Sequence, residues 1–358
     1  MSGMGADTTR DFDTFRQAQG QLVDVRSPAE FLQGHWPGSI NIPLFTDEQR
    51  AKVGTTYKQQ GRDQAIELGL ELVGPSLSSL AQALGQAAGA EKRLRIYCWR
   101  GGMRSSSVAW LAGLVDQEAL VLEGGYKTYR RWVLEQFGQS WPVKLLGGRT
   151  GSGKTDLLLA LAERNVAVVD LEGLAHHRGS SFGGLGLPDQ PTTEQYENRL
   201  AEALDHHRRN GAEEIWLEAE SAQVGRCRIP HDLVSQMKSA VVLEIRRPAE
   251  ERVNQLVSVY GDQGSEALAA ATQRISRRLG PQRTEQALGA IACRDWHGAC
   301  RAMLDYYDRC YDRELERADE RRSVDIAGMG AEEAADHLLN ECLMRVVPKP
   351  KQSGSIAP

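Results

Sequence analysis

Short apolar runs alternate along the chain with stretches whose apolar residues recur at helical spacing. The runs predict strands at residues 21–25, 94–98, 119–122, 143–148, 166–170, 214–220, 240–246 and 323–328. Helical spacing predicts helices at Pro28–Leu32 and 105–115, another that begins near Lys154, and a closing helix from Ala331. Strands that alternate with helices favour parallel sheets, so the predicted fold class is α/β.

The alternation restarts once, which predicts two domains. A boundary near Trp141-Pro142 would separate a first α/β domain (1–140) from a second one (141–346). From Pro248 to about Arg322 the pattern is helical, so we expect a helical region at about 262–322 within the second domain. Residues 347–358 are rich in Pro, Ser and Lys, which predicts a disordered tail.

Composition and charge exclude several classes of protein. The 358 residues are 41% hydrophobic and 25% charged, which is ordinary for a globular protein. No run reaches the roughly 18 apolar residues of a membrane span, and the first residues lack the layout of a signal peptide. The six cysteines include no Cys-x-x-Cys pair, so we expect neither disulfides nor a zinc site, and a cytoplasmic location.

The segment CWRGGMRS, which begins at Cys98, is the first with candidate chemistry. It joins a predicted strand to a predicted helix, so its N–H groups and the helix N-terminus should stabilise an anion. The same field lowers the pKa of a thiol and makes Cys98 a nucleophile. The two glycines permit a left-handed backbone, and Arg100 and Arg104 can pair with an oxyanion. The alternative is a buried structural cysteine at a strand end.

This loop, together with DVRSPAEFLQGHWPGSINIP upstream, resembles a rhodanese domain. The matching upstream residues are Asp24, Arg26, Glu30, Gly34, His35, Gly38, Asn41 and Pro43. The resemblance implies that Cys98 carries a persulfide or perselenide. The loop departs from the usual C-x4-R pattern by one residue, as in rhodanese-like phosphatases and arsenate reductases, which implies a pocket wide enough for phosphate or selenophosphate. We expect Asp24 and Arg26 to form a structural ion pair.

A second loop, GRTGSGKT at 148–155, matches the phosphate-binding pattern G-x-x-x-x-G-K-[ST] in full. A strand should precede it and a helix follow it, as the motif requires. Lys154 would reach diphosphate oxygens and Thr155 could hold Mg²⁺. Asp170 and Glu172 form an acidic pair that resembles the substrate-side or metal-side carboxylates of small P-loop kinases. The alternative is ordinary solvated acids at a strand end, which fits Glu172 equally well and Asp170 less well. The predicted phosphate-binding residues are Gly148, Gly151, Ser152, Gly153, Lys154, Thr155 and Asp170.

Residues 274–301 are basic in a chain whose net charge is −5. Six arginines stand there against two acidic residues, a local excess of four positive charges. Arg274, Arg277 and Arg278 fall at helical spacing on one face, which predicts a surface for nucleic-acid phosphates. A solvated helix face is the alternative.

The order of these segments is similar, along nearly the whole chain, to the bacterial tRNA 2-selenouridine synthase family. The resemblance implies a rhodanese-like domain followed by a P-loop kinase-like, parallel-sheet domain with a helical C-terminal extension. It implies geranyl transfer from geranyl diphosphate to wobble 2-thiouridine, and then exchange of the geranylthio group for selenium from selenophosphate. Lys154 would stabilise the leaving diphosphate, and Cys98 would form a selenylated cysteine or hold selenophosphate.

The resemblance also implies partners and leaves rivals open. The partners would be tRNA that carries 2-thiouridine, bound by the three arginines, and an enzyme that supplies selenophosphate. No tightly bound cofactor and no resident metal site are expected, and Mg²⁺ stays open. The rivals are a rhodanese-like phosphatase or arsenate reductase, which leaves the P-loop idle, a P-loop small-molecule kinase, which leaves Cys98 idle, and a non-enzymatic adaptor.

Overall fold

The computed structural model describes residues 9–315 and 320–343, so the predicted tail at 347–358 lies outside the described residues. The chain forms two compact units. The described part of one unit comprises residues 9–139 and 191–205, and that of the other comprises 140–190, 206–315 and 320–343. The second unit thus begins at Ser140, and residues 191–205, which lie within the predicted second domain, belong to the first unit.

The first unit contains a parallel sheet. Its strands are β1 (Thr9–Arg10), β2 (Gln21–Asp24), β3 (Ile40–Asn41), β4 (Arg93–Tyr97) and β5 (Glu118–Leu122), in the spatial order β1-β5-β4-β2-β3. Its helices are α1 (Phe12–Gln17), α2 (Pro28–Gln33), α3 (Asp47–Gln60), α4 (Arg62–Val73), α5 (Leu77–Ala88), α6 (Met103–Leu114) and α7 (Gly125–Phe137). Short 3-10 turns lie at Gly74–Ser76 and Gly89–Glu91.

The strands of this unit are short apolar runs in the sequence because their side chains are buried in its core. Val23, Ile96 and Val121 of the central strands pack against Leu84 of α5 and Leu111 of α6. An aromatic group is also buried in this unit and contains Phe15, Trp36, Tyr97, Tyr126 and Tyr129. Because the strands are parallel, their carboxyl ends share one edge of the sheet, where ligands bind in such folds.

The second unit contains another parallel sheet. Its strands are β6 (Val143–Gly147), β7 (Val168–Val169), β8 (Ile215–Glu218), β11 (Val242–Arg246) and β12 (Arg321–Asp325), in the order β12-β11-β6-β8-β7. A separate antiparallel pair consists of β9 (Gln223–Val224) and β10 (Cys227–Arg228). The helices are α8 (Lys154–Glu163), α9 (Leu171–Ala175), α10 (Thr193–Arg209), α11 (His231–Ser239), α12 (Ala249–Tyr260), α13 (Ser265–Arg274), α14 (Ser276–Leu279), α15 (Pro281–Ala292), α16 (Trp296–Leu315) and α17 (Ala331–Leu343), with a 3-10 turn at Gly261–Gln263. Helix α10 belongs to the first unit as far as Asp205.

Two apolar clusters stabilise the second unit. In the sheet region, Leu146 and Ile245 pack with Leu158 of α8 and Leu338 of α17. The helical region has its own cluster, which contains Leu268, Ile275, Leu279, Ala287, Ile291, Ala299 and Met303. The P-loop follows β6, the middle strand of the sheet, so the phosphate-binding motif lies at the carboxyl edge.

Most predicted strands are confirmed within a few residues. The exception is the run at 166–170, which forms only the two-residue strand Val168–Val169. The predicted change from helix to strand near Arg322 is confirmed, because β12 begins at Arg321 and pairs with β11. A strand at the sheet edge can carry such charges, and Glu244 neutralises Arg321 at 2.7 Å. Helices α3 to α5, at 47–88, were not predicted.

The described part of the chain bears on two expectations, those on membrane-spanning helices and on the cysteines. No helix among the described residues is long and apolar enough to cross a membrane. The cysteines whose side chains the structure describes are free thiols at positions 98, 227, 293, 300 and 310.

Candidate active site

The thiol loop joins the end of β4 to the start of α6 and requires glycine at its centre. Gly101 has a φ of +62°, and a Cβ on it would lie 2.4 Å from the carbonyl oxygen of Leu122. Gly102 is the N-cap residue of α6. The loop therefore packs closely on the turn after β5, and any side chain at position 101 would separate them.

The start of α7 satisfies the carbonyl groups of this loop. The N–H of Tyr126 donates to the carbonyl of Cys98 at 2.7 Å, and the N–H of Lys127 donates to that of Trp99 at 3.0 Å. Gly125, with a φ of +60°, allows this approach, because a Cβ there would lie 2.4 Å from the Cys98 carbonyl. The loop backbone is thereby fixed from outside by a second helix N-terminus.

Cys98 is 3% exposed and lies within this fixed loop. Its Sγ is 3.3 Å from Oγ of Ser105, whose own contact to the Gly102 carbonyl is 3.0 Å. Burial alone would raise the pKa of the Cys98 thiol. The Ser105 hydroxyl, the charge of Arg104 and the backbone N–H groups of Arg100 and Ser105 outweigh burial and lower the pKa. The prediction of an ionisable thiol at a helix N-terminus thus has a geometric basis.

The two arginines of the loop have different surroundings. Arg104 donates to Glu30 at 2.8 Å, and Arg50 lies 3.5 Å from the other oxygen of the same carboxylate. Burial would raise the pKa of Glu30, but these arginines, with Arg104 first, lower it. Arg100 is exposed, and among the described residues its side chain has no ion pair. Glu30 therefore holds Arg104 beside the thiol, whereas Arg100 remains available to an incoming anion.

The predicted structural ion pair between Asp24 and Arg26 is confirmed. Both residues are buried, and the Arg26 guanidinium donates to the Asp24 carboxylate at 2.6 and 3.0 Å. It also donates to the Gly34 carbonyl at 2.6 Å and lies 3.8 Å from the ring centre of Tyr126. Since removal of one partner leaves a buried charge, we expect a loss of about 3–5 kcal/mol from either single substitution.

The P-loop joins β6 to α8, and its conformation depends on glycine at two positions. Gly151 and Gly153 have φ values of +80° and +82°. A Cβ on Gly151 would lie 2.6 Å from the backbone oxygen of Arg252 and 2.9 Å from Cγ of Leu256. Helix α12 therefore packs directly on the loop. Ser152 is buried, and its hydroxyl has no hydrogen-bond partner among the described residues.

Helix α16 supplies side chains that hold the P-loop from the other side. Nζ of Lys154 donates to the Gly148 carbonyl at 2.9 Å and lies 5.6 Å from the ring centre of Tyr311. The Tyr311 hydroxyl accepts a hydrogen bond from the Gly148 N–H. Arg149 pairs with Asp312 at 2.8 Å. A diphosphate on this loop would replace the Gly148 carbonyl as the partner of Lys154.

The two acidic residues after β7, Glu172 and Asp170, have different partners. The Thr155 hydroxyl donates to Glu172 at 3.0 Å, and Glu172 is only 8% exposed. The interpretation of Glu172 as a solvated acid is therefore wrong. Asp170 caps α9 by accepting from the N–H of Gly173 at 2.6 Å.

Glu218, at the end of β8, is fully buried near these carboxylates. It accepts a hydrogen bond from the N–H of Leu171 at 2.8 Å. Burial, followed by the nearby charges of Asp170 and Glu172, raises the pKa of Glu218 well above its usual range. Within the described ranges, no three His, Cys, Asp or Glu side chains are arranged to hold a metal ion.

The three arginines predicted to bind tRNA are exposed, but they do not share one helix. Arg274 ends α13, whereas Arg277 and Arg278 lie in the short helix α14. The three arginines do not lie on one continuous helix, because the helix is interrupted at Ile275, whose side chain is buried in the helical cluster. Arg274 donates to the Ser181 carbonyl at 3.0 Å, so part of its donor capacity is already used.

Other arginines of the basic stretch are neutralised locally. Arg283 pairs with Asp305 at 2.5 Å and Arg301 pairs with Glu250 at 2.6 Å. The aromatic side chains near this stretch that could stack on bases, Trp296, Tyr306 and Tyr307, pack against the helical cluster. The positive surface of this region is therefore smaller than the sequence count indicates.

Sequence reasoning missed the side chains that hold the two loops. Tyr311 and Asp312 are 163 positions from their P-loop partners. Glu218 lies in the predicted strand at 214–220, which pairs with the strand before the P-loop. An acidic residue at the end of such an apolar strand could have indicated a site residue. Glu30 was noted only as part of a pattern, and nothing local connects it with Arg104, which is 74 positions away.

Comparison with known proteins agrees with this architecture. Residues 10–131 match the rhodanese-like domain, and residues 141–342 match the tRNA 2-selenouridine synthase AAA domain. The tRNA 2-selenouridine synthase of Marinobacter nauticus is 36% identical, over 82% of this chain and 88% of its own. The proteins of that name from Bordetella petrii (36% identical, 89% and 92% covered) and Shewanella sediminis (34%, 89% and 93%) are similar as well. The chain therefore belongs to the tRNA 2-selenouridine synthase family.

Proposed function

We propose that this protein converts 2-thiouridine at the wobble position of tRNA into 2-selenouridine in two steps. The first transfers a geranyl group from geranyl diphosphate to the sulfur, and the second replaces the geranylthio group with selenium from selenophosphate. One observation carries the proposal. A single chain contains a buried thiol beside Ser105 at the N-terminus of α6, and also a complete P-loop in a separate unit. The names of its relatives support it.

The P-loop unit suits the geranyl step. The thiocarbonyl sulfur attacks C1 of geranyl diphosphate, the C1–O bond breaks, and the product loses the N3 proton as diphosphate leaves. Negative charge grows on the leaving oxygens, where Lys154 and the loop N–H groups would stabilise it. Nζ of Lys154 now donates to the Gly148 carbonyl at 2.9 Å, and on diphosphate binding it would donate to a diphosphate oxygen instead.

Mg²⁺ would assist the geranyl transfer step. The Thr155 hydroxyl and the Glu172 carboxylate lie 3.0 Å apart, and both are oxygen ligands of the kind that Mg²⁺ prefers. When bound, the ion would neutralise diphosphate oxygens. A chelator titration of geranyl transfer tests this role separately from that of Lys154.

The thiol loop suits the selenium step. The exposed guanidinium of Arg100 and the loop N–H groups would hold selenophosphate beside the Cys98 thiolate. Selenium of the bound selenophosphate bonds to C2 of the uridine as the C2–S bond breaks, and geranylthiol leaves. The Cys98 thiolate then attacks phosphorus as the Se–P bond breaks, and water hydrolyses the phosphocysteine to release phosphate. The wider C-x5-R-S loop favours a tetrahedral anion as the donor. A selenophosphate-producing enzyme is the expected partner, and a cytoplasmic location, which keeps Cys98 reduced, is the expected setting.

The tRNA itself would bind partly through Arg274, Arg277 and Arg278. They are exposed and lie outside the ion pairs that neutralise Arg283 and Arg301. Contacts to phosphates of this kind position a nucleic acid without reading its sequence.

Mass spectrometry of nucleosides tests the whole proposal. Thiolated tRNA incubated with the protein and geranyl diphosphate should yield 2-geranylthiouridine, and added selenophosphate should yield 2-selenouridine. Unmodified nucleosides together with phosphate release from an aryl phosphate would instead favour the phosphatase, and ATP-dependent phosphorylation of a small metabolite would favour the kinase. Binding of tRNA without any reaction would favour an adaptor.

A further inference from the structure

A cavity in the second unit lies directly beside the P-loop. Thr150 of the loop lines it at one side, and Leu256 of α12, which packs on Gly151, lines it next to that loop. The cavity has a volume of about 60 Å³, where one ordered water molecule needs about 10–15 Å³ on the same measure. It can therefore hold several linked carbon atoms.

The lining of this cavity is almost entirely apolar. A nucleoside would lose the hydrogen bonds of its base and sugar there, because unpaired polar groups are costly to bury. A hydrocarbon chain would lose nothing and would gain burial. A ligand with a diphosphate on the loop and a hydrocarbon in the cavity matches both surfaces.

One face of α16 forms a long wall of the cavity. Its lining residues recur every three or four positions, namely Trp296, Ala299, Cys300, Met303, Leu304 and Tyr307. The same helix reaches the P-loop at Tyr311, which accepts from the Gly148 N–H. The wall thus runs from the diphosphate loop towards Trp296.

The length of this wall fits two isoprene units. The rise of about 1.5 Å per residue puts Cys300 about 10 Å and Trp296 about 16 Å from Tyr307 along the helix axis. An extended chain advances about 3.4 Å per three bonds, so the main chain of a geranyl group spans about 8 Å and that of a farnesyl group about 13 Å. A geranyl tail whose first carbon lies level with Tyr307 would end near Ala299 and Cys300, and a third unit would meet Trp296.

We propose that this cavity holds the hydrocarbon tail of a prenyl diphosphate, and that Ala299 and Trp296 limit the tail to two isoprene units. The inference rests on the proposed use of geranyl diphosphate at the P-loop. It assigns the helical region a role in substrate selection that is separate from tRNA binding.

Transfer from dimethylallyl, geranyl and farnesyl diphosphates to thiolated tRNA tests the assignment. Ala299→Phe fills the middle of the wall and should lower kcat/KM for geranyl diphosphate about 10-fold to 200-fold, the range for one misfitting group in an apolar pocket, and that for the five-carbon donor much less. Trp296→Ala should raise the ratio of farnesyl to geranyl transfer. The control is Ala292→Phe, which makes the same change at an exposed site of α15. It should leave kcat/KM for geranyl diphosphate and the ratio of farnesyl to geranyl transfer unchanged.

Binding of inorganic diphosphate, measured by calorimetry, shows whether each variant retains the P-loop unit. If Ala299→Phe misfolds and no longer binds diphosphate, the ratio of farnesyl to geranyl transfer by Trp296→Ala tests the cavity assignment. Unchanged donor ratios in folded variants would overturn the cavity assignment while leaving geranyl transfer intact. Absence of transfer from every donor by the unaltered protein would overturn the proposed function instead.

Discussion

The thiol loop and the P-loop use the same backbone arrangement for different chemistry. Each follows a parallel strand, turns on glycine with positive φ (Gly101 in the first, Gly151 and Gly153 in the second), and leads into the N-terminus of a helix. In the first, the side chain with candidate chemistry, Cys98, precedes the turn. In the second, Lys154 follows it as the first residue of the helix. One loop therefore presents a nucleophile to an anion, whereas the other presents only positive charge.

The two loops also differ in what fixes them. The carbonyls of Cys98 and Trp99 are held by N–H groups at the start of α7, so the thiol loop is rigid through its backbone. The P-loop is held through side chains, since Tyr311 accepts from Gly148. Lys154 is itself bonded within the loop and must change partner when an anion binds. The thiol loop can therefore bind its ligand without a change of its backbone, while the P-loop has to exchange hydrogen bonds.

The largest expected effect separates the two loops completely. Cys98→Ser should abolish selenium incorporation, because a hydroxyl of ordinary pKa cannot serve as the nucleophile. Geranyl transfer should persist, since the P-loop is unaltered. Mass spectrometry of tRNA nucleosides measures both products. The exposed Cys293→Ser is the control and should behave like the unaltered protein. Full selenation by Cys98→Ser would end the assignment.

The reciprocal change should act on the other loop. Lys154→Ala should lower the rate of geranyl transfer on the order of 10²-fold or more, the scale of losing one preorganised partner of a leaving group. Selenation of tRNA that already carries the geranyl group should be unaffected. Lys144→Ala is a control, because Lys144 lies on β6 before the loop and pairs with Glu214. An undiminished geranyl transfer rate in Lys154→Ala would contradict the role of this loop.

Much of the fold could be predicted because buried parallel strands are short apolar runs. Helix α3 was missed for the opposite reason, since Asp47–Gln60 buries none of its residues and shows no apolar period. Its capping box was a local signal, with Thr46 and Gln49 bonded reciprocally. The membership of 191–205 in the first unit had no local signal, because it depends on contacts such as Arg130 with Glu197.

The candidate site was predictable only where a motif contains its own chemistry. Cys98 and Lys154 are identified by their loops, since the glycines and charges that matter are within a few positions. Glu30 and Tyr311 act on these loops from distant parts of the chain. The cavity beside Thr150 was not predicted either, because helical spacing alone does not distinguish a filled core from a lined pocket.

A smaller effect should distinguish the tRNA surface from both loops. Replacing Arg274, Arg277 and Arg278 together by Gln should weaken tRNA binding and flatten its salt dependence, by about one unit of slope at most for each phosphate that is no longer neutralised. Diphosphate binding should stay intact. The matched control replaces Arg283 and Arg301, which already pair with acidic residues and should contribute less. Unchanged affinity and slope in the triple variant would mean that these arginines form a solvated surface.

The smallest effect tests why the thiol loop is ready for its ligand. Arg104 helps to lower the pKa of Cys98, so Arg104→Gln should raise that pKa. The thiolate then forms only at higher pH, and a one-unit rise in the pKa would lower its fraction about tenfold at pH values below both pKa values, with no change above both. The rate of alkylation of the Cys98 peptide by iodoacetamide, followed against pH by mass spectrometry, measures this directly. Arg50→Gln removes a neighbour of Glu30 that is not among the groups that shift the Cys98 pKa, and its profile should move less. If the two variants shift the profile equally, the charge of Arg104 is not what activates the thiol, and the loop N–H groups with Ser105 must account for its lowered pKa.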